Sequence, residues 1–392
     1  MSGQGSNFAM VHRGSGIYCT EDARRLARER LPRLVFDFVD GATGRETGAR
    51  RNVDRFDEIC LQSRVLAEIS SRSLKTSFLK KDHDLPFGIA PMGMCNLSHP
   101  GADRALAGLA RRRNVPVCVS SAASTSLEEM HSLSAGHAWF QLYFGHSKEM
   151  SLAVVERAKN DGYDTLVLTV DVPVVSRRVR DLRNGFNVPF RLSTRSFLDF
   201  ASHPIWSVRM ALHGPPSPQN IGPKDQKMQF DRQASRAGAD WDFLHQLRDM
   251  WPGHLIVKGI TSTEDAIRVR KAGADAIYVS NHGGRQLDSS PAAIDLLAPI
   301  RAAVGASMPL IFDSGIRSGE DIVKALILGA DLVMLGRPVL YALGAAGERG
   351  LNSLIDCIAH DMDVTMAQLG VQSVSELGLE NLCDGCRSDH EG

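Results

Sequence analysis

From Leu85 to Gly336 the chain repeats one unit eight times: a short apolar run, then a stretch of helical pattern. No other feature constrains the fold as much. The runs are 85–92 (LPFGIAPM), 116–121 (PVCVSS), 138–143 (AWFQLY), 165–171 (TLVLTVD), 254–260 (HLIVKGI), 276–281 (AIYVSN), 309–315 (PLIFDSG) and 332–336 (LVMLG). Each shows little polar alternation, as expected of strands covered on both faces. The patterns between them include Ser262–Gly273 and Ser318–Gly329, the second opening on Ser-Gly-Glu-Asp and closing on glycine. Eight strands alternating with helices over roughly 250 residues is the rhythm of a closed parallel (β/α)8 barrel, a TIM barrel of the α/β class. The alternative is an open doubly wound sheet, which would gather its polar strand ends at one switch point. Here nearly every run ends in polar residues.

The flanking sequence adds less. Residues 1–20 are rich in Gly and Ser and are expected to be loose. Thr20-Glu21-Asp22 then supplies an N-cap and early acids for a helix to Arg30, and Pro32 opens a second helix that stops at Gly41. Residues 49–84 look like a connecting layer, so one domain is expected over 21–380, followed by a flexible tail, 381–392. Lys+Arg and Asp+Glu both number 45, which gives no basic surplus for nucleic acid. Seven scattered cysteines suit a reducing cytoplasm better than a disulfide framework. Cys383 and Cys386 form a C-x-x-C with no second pair nearby, so no metal centre is expected. No run approaches the ~18–20 apolar residues that span a bilayer, and the N-terminus lacks a signal-peptide core.

One connection breaks the rhythm. Residues 172–239 far exceed a usual βα loop. They carry eleven Lys/Arg against four Asp, together with Trp206, Met210, Leu212 and the knot Pro215-Pro216-Ser217-Pro218. Basic plus apolar fits a membrane-surface segment, and it fits equally a solvated lid over an anionic substrate.

In a barrel the strand ends meet at one mouth, where barrel enzymes do their chemistry. The residues brought there are Pro91, Met92 and Gly93, Ser120, Gln141, Tyr143, Thr169, Asp171, Lys258, Ser280 to Arg285, Asp313 to Arg317, and Gly336-Arg337. Each alone has an ordinary explanation as a polar strand end, a turn or a cap. Together they form two groups. Gly315, Arg317, Gly336 and Arg337 follow the seventh and eighth strands, where barrels commonly bind phosphate. Tyr143, Asp171, Arg178, Lys258, His282 and Arg285 make a cationic, hydrogen-bonding set with one proton acceptor near neutral pH. A phosphate-bearing cofactor beside a carboxylate substrate is the simplest reading. The chain has no Walker loop and no GxGxxG joining a strand to a helix at its start.

Ser280-Asn-His-Gly-Gly-Arg-Gln-Leu-Asp288, QLY, TVDVP with Arg178 seven residues past Asp171, VKGI, DSGIR and LGRP stand in the order found in one family. From about Ala23 to Gly370 the chain resembles the FMN-dependent α-hydroxy-acid dehydrogenases and oxidases. These include glycolate oxidase, L-lactate dehydrogenase and mandelate dehydrogenase. His203-Pro204-x-Trp206 and Trp251 resemble the membrane-associated mandelate and lactate branch most closely. The resemblance implies FMN and the oxidation of an L-2-hydroxy acid to a 2-oxo acid. It makes His282 the catalytic base, Asp171 its orienting carboxylate, Arg178 and Arg285 the substrate-carboxylate pair, and Tyr143 a hydrogen-bonding phenol near the reacting carbon. Lys258 becomes the cation beside flavin N1 and the C2 carbonyl. Pro91, Met92, Gly93, Ser120, Gln141, Thr169 and Ser280 become flavin contacts. Asp313, Ser314, Gly315, Ile316, Arg317, Gly336 and Arg337 become ribityl and phosphate contacts.

Three positions stand apart. Phe36-Asp37-Phe38 replaces the family's Tyr-Asp-Tyr, so Phe38 removes one substrate-carboxylate contact, worth about 0.5–1.5 kcal/mol. Ala122 stands where glycolate oxidase has Trp, which implies a roomier pocket, and Gly93 stands where many oxidases have Ala. The expected substrate is bulky, and the expected electron acceptor is a quinone or O2. The resemblance also implies a homo-oligomer, a tetramer, in the cytoplasm with peripheral contact to the inner face of the cell membrane. A related FMN barrel with altered chemistry is the first alternative, as a flavin isomerase or an oxidase of amines or modified peptides. A non-catalytic barrel in a membrane assembly is the second.

Overall fold

The computed structural model describes residues 14–145, 147–186, 193–222 and 236–388. The eight apolar runs become β3 (Phe87–Met92), β4 (Val117–Ser120), β5 (Ala138–Leu142), β6 (Thr165–Thr169), β7 (His254–Ile260), β8 (Ala276–Val279), β9 (Leu310–Phe312) and β10 (Leu332–Leu335). Each pairs in parallel with its neighbour, and β10 pairs with β3, Val333 opposite Phe87. The sheet is therefore closed, which excludes the doubly wound alternative. The strands stop one to three residues short of several predicted ends, because those polar residues turn out into the mouth.

Two buried clusters divide the strand side chains by alternation. Leu166 and Leu168 face the surrounding helices, whereas Val167 belongs to a second cluster with Ala90, Cys118, Trp139, Ile256, Tyr278, Ile311 and Met334. This second set fills the barrel interior. Side chains two residues further along a strand lie on the same face. That places Met92, Ser120, Gln141, Thr169, Lys258, Ser280, Asp313 and Gly336 one layer above the plug, at the mouth.

Around the barrel lie α1 (Thr20–Arg30), α2 (Arg33–Asp40), α3 (Thr47–Glu58), α4 (Ala102–Arg113), α5 (Leu127–Ser134), α6 (Lys148–Asn160), α7 (Val179–Asn184), α8 (Thr194–Ser202), α9 (Pro204–His213), α10 (Trp241–Met250), α11 (Thr263–Lys271), α12 (Leu297–Val304), α13 (Gly319–Ile327), α14 (Arg337–Leu369) and α15 (Asp384–Ser388). The Ser262 and Ser318 side chains cap α11 and α13, accepting from Asp265 N–H and Asp321 N–H.

Several expectations need correction. Cys19, not Thr20, occupies the N-cap of α1, and the Thr20 hydroxyl donates instead to the Arg317 carbonyl. The segment 49–84 holds most of α3 and a hairpin of β1 (Thr76–Phe78) and β2 (Lys81–His83), whose Phe78 packs on Trp139 of the barrel interior. Residues 1–13 and 389–392 lie outside the described residues. From Ser15 the chain is packed, with Ile17 fully buried, and Leu382 is equally buried where the tail begins. The long connection is helical over α7, α8 and α9. Trp206 and Met210 are buried rather than presented to a surface, and the Trp206 indole donates to the Leu97 carbonyl at 2.8 Å. Lys/Arg at 191, 224, 227 and 232 lie outside the described residues.

Candidate active site

The turn after β8 is built on left-handed backbone. His282, Gly283 and Gly284 have φ of 58°, 63° and 72°. A Cβ on Gly284 would meet the Ala49 backbone at 2.4 Å, so only glycine lets α3 dock there. Asn52 of α3 and Asn281 exchange side-chain hydrogen bonds of 2.8 and 2.7 Å, and Asp288 accepts from Gly48 N–H at 3.0 Å. A non-glycine residue held at positive φ is costly and persists only where its surroundings enforce it. Here the Ser280 hydroxyl accepts from His282 N–H at 3.0 Å.

His282 Nδ1 lies 3.1 and 3.2 Å from the two Asp171 oxygens. Nδ1–H therefore donates to the carboxylate, which leaves the Nε2 lone pair facing the Tyr143 hydroxyl at 3.4 Å. Burial lowers the imidazole's pKa below its ordinary value, and the charges of Lys258 and Arg178 add to this against the pull of Asp171. Burial raises the Tyr143 phenol. The register of β7 on β8 slips between Lys258 and Ile260, and Gly259 there has φ of 103°. A Cβ on Gly259 would fall 2.5 Å from Asp171 Cβ, so this irregularity makes room for the carboxylate behind His282.

Lys258 is buried against Ser280 Oγ at 2.6 Å and Asp313 Oδ2 at 3.0 Å. Burial acts to lower its pKa, but the charges of Asp313 and Asp171 outweigh it and the ammonium lies above its ordinary value. The Tyr278 hydroxyl donates to Asp313 Oδ2 at 2.9 Å, which fixes the same carboxylate from below.

One cavity is lined by Phe38, Pro91, Met92, Gly93, Ala122, Tyr143, Arg178, Lys258, His282, Arg285, Asp313 to Arg317, Gly336 and Arg337. All the predicted substrate-binding positions are in that wall. Asp171, Ser120, Gln141, Thr169 and Ser280 are not, since they stand behind or beneath it. Arg285 is partly committed to the fold. Its guanidinium donates to the carbonyls of Phe38, Val39 and Gly41 at 3.0, 3.2 and 2.7 Å, and Arg337 reaches Gly41 and Gly283 at 3.1 and 2.9 Å. The carbonyls of Phe38, Val39 and Gly41 are at the C-terminal end of α2, where a helix leaves them free of intrahelical partners and favours cations. The two arginines thus hold α2, and Phe38 with it, against the mouth.

Sequence reasoning missed Phe186, Arg236 and Gln286. Phe186 stacks on Phe38 with centroids 4.4 Å apart and planes 5° apart, and the Arg236 guanidinium lies 4.9 Å from the Tyr143 ring centroid. Both sit in the long connection, which carries no repeat or motif to mark them. Gln286 lies inside the signature motif and lines the cavity, and neither of its buried amide atoms has a partner among the described residues.

The donor set fits FMN. Gln141 Nε2 and Thr169 Oγ1 are buried at the barrel top without a partner among the described residues, a cost that a ring system with polar edges would relieve. Burial, together with the charge of Arg317, lowers the pKa of Arg337 below its ordinary value. Arg337 opens the 33-residue α14 and Arg317 stands just before α13, and both line the cavity, helix starts suited to a phosphate.

The sequence profile described as FMN-dependent dehydrogenase matches residues 27–384. The chain is 39% identical over 372 residues to (S)-mandelate dehydrogenase of Pseudomonas putida, covering 93% of this chain and 94% of that one. It is 35% identical over 376 residues to L-lactate dehydrogenase of Xanthobacter autotrophicus, covering 93% and 96%. A crystal structure of the monotopic membrane protein (S)-mandelate dehydrogenase superposes with a TM-score of 0.88 at 38% identity, covering 94% of this chain and 99% of that one. The neutral histidine, the orphaned donors beneath it and the paired arginines thus lie on a chain that belongs to the family of FMN-dependent dehydrogenases.

Proposed function

We infer that the enzyme oxidises an (S)-2-hydroxy acid with a bulky apolar side chain, mandelate-like in shape, to the 2-oxo acid. The carrying observation is the His282 ring, held at Nδ1 by Asp171 with Nε2 facing the Tyr143 hydroxyl, in one cavity with Arg178, Arg285 and the stacked Phe38–Phe186 pair. FMN, when bound, supplies the two-electron acceptor. The substrate's C2–H and O–H are lost as two protons and two electrons. His282 Nε2 takes one proton, and the Asp171 carboxylate stabilises the imidazolium that results. Arg178 and Arg285 take the substrate carboxylate, and Tyr143 hydrogen-bonds beside the reacting carbon. Lys258 would supply the positive charge that a flavin gaining electrons needs beside it. Ser120, Gln141, Thr169 and Ser280 would hold the flavin's ring system, and Ser314 to Arg317 with Arg337 would hold its phosphate.

Phe38, Phe186, Ala122 and Met92 give the substrate's side chain an apolar wall, and burying apolar area gains about 25 cal/mol per Å². Electrons pass on to a quinone at a membrane surface, where the apolar faces of α8 and α9 make contact. Altered flavin chemistry draws support only from Phe38, and the relatives are hydroxy-acid dehydrogenases by name. A homotetramer, checked by light scattering, is the assembly favoured by resemblance. The central test is anaerobic mixing with glycolate, lactate, mandelate and longer hydroxy acids, following flavin bleaching. Mandelate should give the largest kcat/KM, and glycolate above mandelate would overturn the pocket reading.

A further inference from the structure

Three cysteines remote in sequence meet at the end of α3, outside the cavity just described. Ile59 is buried at the end of α3, so the next residue, Cys60, turns outward and is exposed. The chain on either side of it pairs with the tail: Leu61 bridges Leu382, Gln62 N–H donates to the Asn381 carbonyl at 2.7 Å, and Cys383 N–H donates to the Cys60 carbonyl at 3.0 Å. That pairing sets Cys383 against Cys60. The helical turn Asp384–Ser388 then returns Cys386, three residues on, to the same side. Cys386 Sγ accepts from Cys60 N–H at 3.3 Å and lies 3.5 Å from the Glu58 carbonyl. The three sulfurs all lie within 4.8 Å of one another, and all three are free thiols.

We propose that Cys60, Cys383 and Cys386 form a binding site for a thiophilic divalent cation of the zinc class, clamping the tail to the end of α3. Sulfur ligands about 2.3 Å from zinc stand roughly 3.8 Å apart in a tetrahedron, so the thiols need close by no more than about an ångström. Binding replaces three thiol protons, released to solvent, with one ion. No electrons move, and water completes the fourth position. A disulfide between any two sulfurs would strand the third beside it, whereas an ion uses all three.

The test uses the reduced, flavin-loaded protein in metal-free buffer, titrated with Zn2+ against a chromophoric chelator and separately with Cd2+. One equivalent of each should bind per chain, and Cd2+ should raise a thiolate charge-transfer band in the ultraviolet. Cys60→Ser and Cys386→Ser should lose that equivalent at least tenfold in affinity, while Cys19→Ser, also at an exposed thiol, should keep it. The flavin spectrum checks that each variant is folded. No stoichiometric uptake by the reduced protein, or uptake unchanged in Cys60→Ser, overturns the site. Recovery of a Cys383–Cys386 disulfide from unreduced protein, with no zinc bound after reduction, overturns it in favour of a redox pair.

Discussion

His282 gathers three independent constraints: a left-handed backbone, a carboxylate on Nδ1 and burial that keeps the ring neutral. His282→Ala should leave FMN bound and lower the rate of flavin reduction by about 10²–10⁴-fold, the usual range for losing a general base. Stopped-flow reduction measures this, and near-normal turnover would move the base elsewhere. Because the proposed base works unprotonated and burial lowers its pKa below an imidazole's ordinary value, kcat/KM should fall only on the acid side of that ordinary value and should stay flat through neutrality. A limb centred above pH 7 would contradict the environment described. Phe38→Tyr adds a hydroxyl beside the arginine pair. It should improve kcat/KM for lactate and glycolate by about two- to tenfold, the span of one net hydrogen bond, and leave mandelate little changed. Position 93 is a poorer probe of oxygen access than its place in the motif suggested. A Cβ there would fall 2.8 Å from Ala122 Cβ, so Gly93→Ala perturbs the substrate pocket as well.

At the scale of elements, the long connection divides its residues by depth. Three of its described cations turn inward, Arg178 and Arg236 lining the cavity and Arg180 pairing with Asp37, Asp40 and Glu46, while Arg177, Arg183 and Arg209 are exposed. Trp206, Met210 and Phe186 are buried, but Phe197, Leu198, Ile205, Val208 and Leu212 on α8 and α9 turn outward, between 59% and 78% exposed. Each such side chain gains about 1.5–3 kcal/mol when fully buried. No helix among the described residues is long and apolar enough to cross a membrane, so contact would be with one leaflet. Changing Phe197, Leu198, Ile205 and Leu212 together to Ser should lower vesicle co-sedimentation at least tenfold with the flavin spectrum unchanged. Wild-type binding should survive ~1 M salt, where the Debye length is about 3 Å. Release by salt would return the contact to electrostatics.

Across the whole molecule, FMN bound as proposed would join the two halves of the mouth, the orphaned donors of β5 and β6 and the arginines after β9 and β10. Removing FMN should lower the melting temperature. Adding it back at about 100 times its Kd should restore about 2.7 kcal/mol, and riboflavin, lacking the phosphate, should restore clearly less. Equal rescue by riboflavin would exclude the arginine cradle. The sequence by itself determined the barrel, because eight runs covered on both faces admit few other closures, and it determined which residues end those runs. It also placed His282 and its partners, since strand parity carries each strand-end side chain to the same layer. Tertiary structure alone decided the rest. Phe186, Arg236 and Cys60 reach their partners Phe38, Tyr143 and Cys383 across long stretches of chain with no periodic pattern. Whether Arg285 meets a substrate, a helix end or both depends on where α2 lies, and only packing sets that position. Contacts between residues far apart in sequence leave no local signature, because neither residue's neighbours need change to make them.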